Sequence, residues 1–161
     1  MTRPALRNGF YAGLLVAVIL GLYLFQLWQP ERQLHLHSEH LVTAVEQQEW
    51  ADVRAFLADN YKDQWGHDRE LVLTQLQQVL HFARNLRIKA ERTIAIAQGD
   101  QGTWSARIMI EADDNEVASL IKARINVLEE PFVLQWRRQS WKPWDWQLVG
   151  VSNPALELPT F

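Results

Sequence analysis

Residues 10–28 read FYAGLLVAVILGLYLFQLW, without a charge and with Gln26 as the one polar side chain. As a helix this run rises about 28 Å, close to the ~30 Å hydrocarbon core of a bilayer. No second stretch matches it, so the pattern predicts a single transmembrane helix over 10–28. Beyond it the pattern turns amphipathic. Pro30 suits the first turn of a new helix, and Leu34, Leu41, Val42, Val45, Val53, Phe56 and Leu57 recur at helical spacing. They predict a helix from about 30 to 48, able to continue the span as a stalk, and a short one from about 49 to 60. Asp68 is placed to cap a third, about 69–84, whose Leu71, Leu73, Leu76, Val79, Leu80 and Ala83 form a broad apolar face suited to lying on a sheet.

From Leu86 the period falls to two. Ile88, Ala90, Ile94 and Ile96 alternate with Lys89, Glu91 and Thr93. Gly99-Asp100-Gln101-Gly102 reads as a hairpin turn, and Trp104, Ala106, Ile108 and Ile110 share one face of the returning strand. Asp113-Asp114-Asn115 reads as a second turn, followed by a long extended segment over about 117–139 that bends near Glu129-Glu130-Pro131, since proline cannot donate to a ladder. In the last hairpin, one register sets Trp136 opposite Trp146, Leu134 opposite Leu148 and Phe132 opposite Gly150 on an apolar face, with Arg137 opposite Asp145 on the other. Its loop is then Ser140-Trp141-Lys142. The tail SNPALELPTF has no strand period and is expected to cross the outside of the domain or lie loose.

Charge orients the expected span. Arg3 and Arg7 precede it, and Glu31, Arg32 and Glu39 follow, so the positive-inside bias puts residues 1–9 in the cytoplasm and the domain, 29–153, on the far side with its tail, 154–161. In a two-membrane bacterium that side is the periplasm. A cleaved signal is the rival reading. However, the apolar run exceeds a signal's core, and no pair of small residues marks a cleavage site among Gln26, Leu27, Trp28, Gln29 and Pro30. Net charge is −3 with a pI near 5.9, which gives no global pull toward nucleic acid. There is no cysteine, hence no disulfide, thiol nucleophile or thiolate metal site. Tryptophan is the outlier, with eight residues.

The stretches AVEQQEWADVRAFLADNY (44–61), DRELVLTQLQQVL (68–80) and FVLQWRRQSWKPWDWQLVGVS (132–152) resemble the NTF2-like superfamily, the cone fold shared by nuclear transport factor 2, SnoaL-type cyclases and ketosteroid isomerase. The first is similar to the family's helix pair, the last to its closing hairpin. The resemblance covers roughly residues 33–153. It implies an α+β domain of about three helices on a curved antiparallel sheet of four to five strands, with a pocket inside the cone. That pocket would be lined by Tyr61, Trp65, His81, Trp104, Trp136 and Trp146; the alternative is that these rings are ordinary core, which a curved sheet needs anyway.

Candidate chemistry is sparse. An isomerase or dehydratase needs a base and an acid donor in the pocket, for which Tyr61, Asp63, His67 and His81 are candidates, each with a bland alternative as a loop or surface residue. No residue aligns with the superfamily's catalytic aspartate, so no catalytic set is assigned. The run H-L-H-S-E-H (residues 35–40) places His37 and His40, and His35 and Glu39, on adjoining helix faces rather than around one metal. Asp113, Asp114 and Glu116 lack the spacing and glycine of a calcium loop. No metal and no cofactor are expected. Trp141 and Trp144, with Arg138 and Lys142, form a hairpin tip suited to contacting a partner rather than stacking bases. The expectation is a membrane-anchored NTF2-like module that binds another envelope protein or a copy of itself, without catalysis and without nucleic acid. The alternative is a tethered isomerase or dehydratase, or a carrier that holds a small lipophilic molecule in the aromatic pocket.

Overall fold

The computed structural model describes residues 13–24, 28–113 and 116–157. Helix α1 covers residues 13–24, and its apolar side chains are exposed. The span expected over 10–28 is not found: among the described residues no helix is long and apolar enough to cross a membrane. At 1.5 Å per residue, α1 as described rises about 18 Å against a ~30 Å core. Gln29 is extended, and Pro30 begins a separate helix, so there is no stalk continuing from α1. The single-pass, N-terminus-in placement and the extracytoplasmic location rested on that span and fall with it. Residues 1–12 and 25–27, the remainder of that region, lie outside the described residues, as do Asp114 and Asn115 of the expected turn and residues 158–161 of the tail.

Three further helices meet the sequence pattern with tighter ends: α2 (Pro30–Glu46), α3 (Trp50–Phe56) and α4 (Arg69–Leu80). The α2–α3 junction turns at Gln48, whose φ is 58°, and the Gln48 amide donates to Leu80 O at the end of α4. Asp68 caps α4 by accepting from Leu71 N at 2.9 Å. α3 stops short of residue 60 because the chain then runs extended alongside the last strand, with Ala58 N donating to Leu148 O, Lys62 N to Val149 O and Gln64 N to Val151 O.

The sheet has four antiparallel strands in chain order, β1 (Arg87–Gln98), β2 (Gln101–Glu111), β3 (Phe132–Arg138) and β4 (Trp146–Ser152). β1 and β2 join through Gly99 and Asp100, with Gly99 at φ 65°, a region that costs glycine nothing. Before β3 lies a fifth helix, α5 (Glu116–Ile125), where an extended segment was expected. Val117, Ile121 and Ile125 give this stretch a strand-like composition, but Ala118 is buried, and Lys122 and Arg124 occupy the last turn, where the helix dipole favours cations. Just after it, the Asn126 carboxamide closes on the backbone of Ile110, accepting from its N–H at 2.8 Å and donating to its carbonyl at 2.9 Å. It thus pairs β2 beyond Ala106, where β3 ends.

Two register features decide which side chains face the helices. A bulge lies between Glu91 and Ile94, where Arg92 takes φ 53°. An inserted residue reverses the alternation, so Ala95 and Ala97 face the helices while Ile94 and Ile96 turn to the outer face, 58% and 53% exposed. In the last hairpin Trp136 pairs with Leu148 and Arg138 with Trp146, two residues away from the expected register, with a further irregularity between Gln135 and Trp136. Near the loop the slip is even and keeps the faces, so Trp136, Trp146 and Leu148 stay buried; beyond the irregularity the offset is three, which sets Leu134 opposite Val151 and Gly150 opposite Gln135. The slip lengthens the loop: Gln139 N donates to Asp145 O at 2.8 Å, and Trp146 Nε1 donates to Pro143 O at 2.8 Å.

Candidate functional site

The concave side of the sheet is filled. Tyr61, Trp104, Trp136 and Trp146 are buried in one apolar cluster with Leu34, Val53, Leu73 and Leu148. Trp104 and Trp136 are 0% and 1% exposed. The sequence brings these four rings together because strand alternation points the tryptophans under α2, and the extended segment after α3 delivers Tyr61. Trp104 Nε1 donates to His35 Nδ1 at 3.2 Å, and His35 Nε2 faces Glu39 Oε1 at 3.1 Å. An indole N–H only donates, so His35 accepts on Nδ1 and carries its proton on Nε2. Trp136 Nε1 is buried without a partner among the described residues.

The other two expected lining residues sit elsewhere. Trp65 is half-buried in the loop after Tyr61 and donates through Nε1 to Leu156 O at 2.9 Å. His81 is the exposed C-cap of α4, set edge-on to Phe82 with ring centroids 5.3 Å apart.

The loop 61–68 holds the one titratable constellation of candidates. Asp63 is buried; its Oδ1 accepts from Trp65 N at 3.0 Å and His67 N at 2.8 Å, and its Oδ2 accepts from His67 Nδ1 at 2.9 Å. The carboxylate therefore staples a tight turn, and the same bond fixes the orientation of the His67 ring. Burial first, then the Asp63 charge, push the Tyr61 hydroxyl well above the usual tyrosine value.

At the hairpin tip Trp141 is 85% and Trp144 51% exposed, with Lys142 exposed beside them. Arg138 instead lies over the Trp146 ring, 5.7 Å from its centroid. His37 ties the tip to α2: its Nδ1 lies 2.8 Å from Gln33 O and its Nε2 2.9 Å from Trp144 O. His35, His37 and His40 thus do not converge, and among the described residues no group of three His, Cys, Asp or Glu is placed to hold a metal ion.

The open space lies on the outer face of the sheet. A hollow of about 280 Å³ is lined by Ile96, Gln98, Gln101, Thr103, Gln135, Arg137 and Val149, with Gly102 and Trp136 at its floor. The sequence pattern put Ile96 in the same alternating set as Ile88 and Ala90, and Arg137 opposite Asp145, and marked none of these outer-face residues as a site. The bulge in β1 and the slip in the last hairpin assemble them, and the visible signal was one glutamine in each of the four strands.

No family model matches this chain, and no curated protein matches it. Solved structures do. Bd1075 from Bdellovibrio bacteriovorus superposes with a TM-score of 0.60 at 10% identity, over 80% of this chain, which spans 41% of that protein's length. An NTF2-like protein from Pseudomonas putida gives 0.56 at 14% identity, over 75% of this chain and 82% of that one. A candidate dehydratase of the NTF2-like family from Streptomyces avermitilis gives 0.55 at 14% identity, over 79% and 96%. The chain has the NTF2-like fold: α+β, with helices packed on one face of a four-stranded antiparallel sheet.

Proposed function

We propose that this chain is a binding module that works through the outer face of its sheet, and that its partner is a second copy of the same chain. The observation that supports this is the division of the two faces. The concave face is packed by Trp104, Trp136, Trp146 and Tyr61, whereas the outer face presents exposed Ile94 and Ile96 beside a hollow. Isoleucines at adjacent outward positions form an apolar strip, flanked by amides that can pair with their own kind across a twofold axis. The tip carrying Trp141, Trp144 and Lys142 lies at the same end, because Arg138 N donates to Asp100 O in the β1–β2 turn. Exposed Trp141, Trp144 and Lys142 extend the contact surface at that end, whereas Arg138 is engaged over the Trp146 ring.

Light scattering after size exclusion tests the proposal. The wild-type chain is expected to be a dimer and Ile96→Glu a folded monomer, because the new charge would be buried in the pair. A wild-type monomer at the highest soluble concentration would refute it.

A second reading, a small-molecule isomerase or dehydratase or a carrier of a lipophilic ligand, is favoured by the Asp63–His67 hydrogen bond beside buried Tyr61. A histidine oriented by a carboxylate is a proton-transfer pair. Turnover that is lost in His67→Ala and kept in Ile96→Glu would establish this reading over the first.

A further inference from the structure

The two-residue slip of the last hairpin frees a guanidinium. Arg137 stands opposite Gln101 on β2 and Gln147 on β4 rather than opposite Asp145, and Gln98 stands opposite Gln101 on β1. One row across all four strands therefore carries a single cation among three amides. The next row holds Ile96, Thr103 and Gln135, with Val149 beside them. Elsewhere on this face Lys89 is ion-paired with Glu111, and Arg107 has a carboxylate residue, Glu91, opposite it. Among the described residues lining the hollow, Arg137 alone is charged. Its guanidinium has no hydrogen-bond or ion-pair partner among the described residues, nor do the carboxamides of Gln98, Gln101 and Gln135.

An unmatched guanidinium with amide and hydroxyl donors around it, and no carboxylate, selects an anion. A single cation suits one negative charge, and the planar fork of arginine matches the two oxygens of a carboxylate. Ile96 and Val149 provide apolar surface for what the carboxylate is attached to. The hollow, about 280 Å³ and open on its solvent side, has room for a small molecule. We infer that the outer-sheet hollow binds a small monocarboxylic acid, its carboxylate on Arg137 and its short apolar body against Ile96 and Val149. The inference rests on the outer face being the binding surface and adds its ligand.

The test is titration of the full ¹⁵N-labelled chain with hexanoate, using hexanol and hexylamine as neutral and cationic controls, read at the glutamine side-chain amides by NMR. Hexanoate alone is expected to give saturable shifts at Gln98, Gln101 and Gln135. Arg137→Gln should weaken it about tenfold or more, since hydrogen bonds to a charged group are lost. Arg137→Lys, which keeps the charge without the fork, should fall between. Arg84→Gln, which removes the same charge from outside the hollow, should bind as wild type. Equal shifts with hexanol, or undiminished binding by a folded Arg137→Gln chain, would overturn the inference. Light scattering on the same samples separates it from the pairing: no hexanoate binding by a dimer overturns this inference alone, and binding by a wild-type monomer overturns the pairing alone.

Discussion

Tyr61 shows how one position carries both packing and charge. Its ring belongs to the concave core, and its hydroxyl is held protonated by burial and by the neighbouring Asp63 carboxylate. A group whose folded value is raised above its unfolded one binds more protons in the native state. Its contribution to stability is therefore complete below the unfolded value near 10 and is lost as pH climbs through the folded one. Stability should fall from about pH 10 upward, and Tyr61→Phe should flatten that fall while leaving an unfolding curve at pH 7 shifted by no more than about 1.5 kcal/mol for the lost hydroxyl. Urea denaturation at pH 7, 9.5 and 10.5 measures both. An absorbance titration should show the Tyr61 phenolate appearing only above the usual tyrosine range.

Between elements, the tightest approach is that of α2 to β2. A Cβ built on Gly102 would lie 2.3 Å from Leu34 Cδ1 and 2.8 Å from Cδ2, and Leu34 is 0% exposed, with no room to swing away. Gly102→Ala should cost about 1–3 kcal/mol by overpacking, and Leu34→Ala about 2–5 kcal/mol by leaving a cavity. In the double variant the alanine methyl enters the vacated space, so the pair should be less destabilised than the sum of the singles. Additive losses in denaturant melts would contradict that contact. The helical spacing of Leu34 and Leu41 and the strand alternation of Trp104 and Ala106 were visible in the sequence, because each pattern has one face that must be buried. What was not visible came from cancellations. Ile94-Ala95-Ile96-Ala97 is apolar on both faces, so nothing in it disclosed that the bulge at Arg92 reverses it. Near its loop the last hairpin satisfies its burial pattern at either even register, so there only the longer loop, fixed by Trp146 and Pro143, chooses, and the irregularity after Gln135 has no counterpart in the pattern. For α5, β-branched residues outweighed a buried alanine. The candidate site inherited these errors, since its outer-face residues depend on the bulge and the slip.

At the scale of the molecule, the free edge of β4 is closed by chain from a distant part of the sequence, and one buried residue, through its backbone and its side chain, links that closure to the loop before β3. Asn153 is 0% exposed. Its Nδ2 donates to Glu130 O ahead of β3, and its Oδ1 accepts from Ala155 N in the tail. Its backbone exchanges two hydrogen bonds with the Gln64 carboxamide, at 2.6 and 3.0 Å. Segments around residues 64, 130 and 155 thus meet at a single residue, and Leu156 lies buried beside them. Asn153→Ala removes two part-buried side-chain bonds, to the Glu130 carbonyl and the Ala155 N–H, which should cost about 1–3 kcal/mol. The loss should be unevenly distributed. The amides of Lys62 and Gln64, bonded to Val149 O and Val151 O, should exchange with solvent faster, while those between β2 and β3 keep their protection until global unfolding. Hydrogen exchange resolved by residue makes the measurement. Equal acceleration across the whole sheet would mean that the closing segment and the sheet open as one cooperative unit, with Asn153 setting the stability of both.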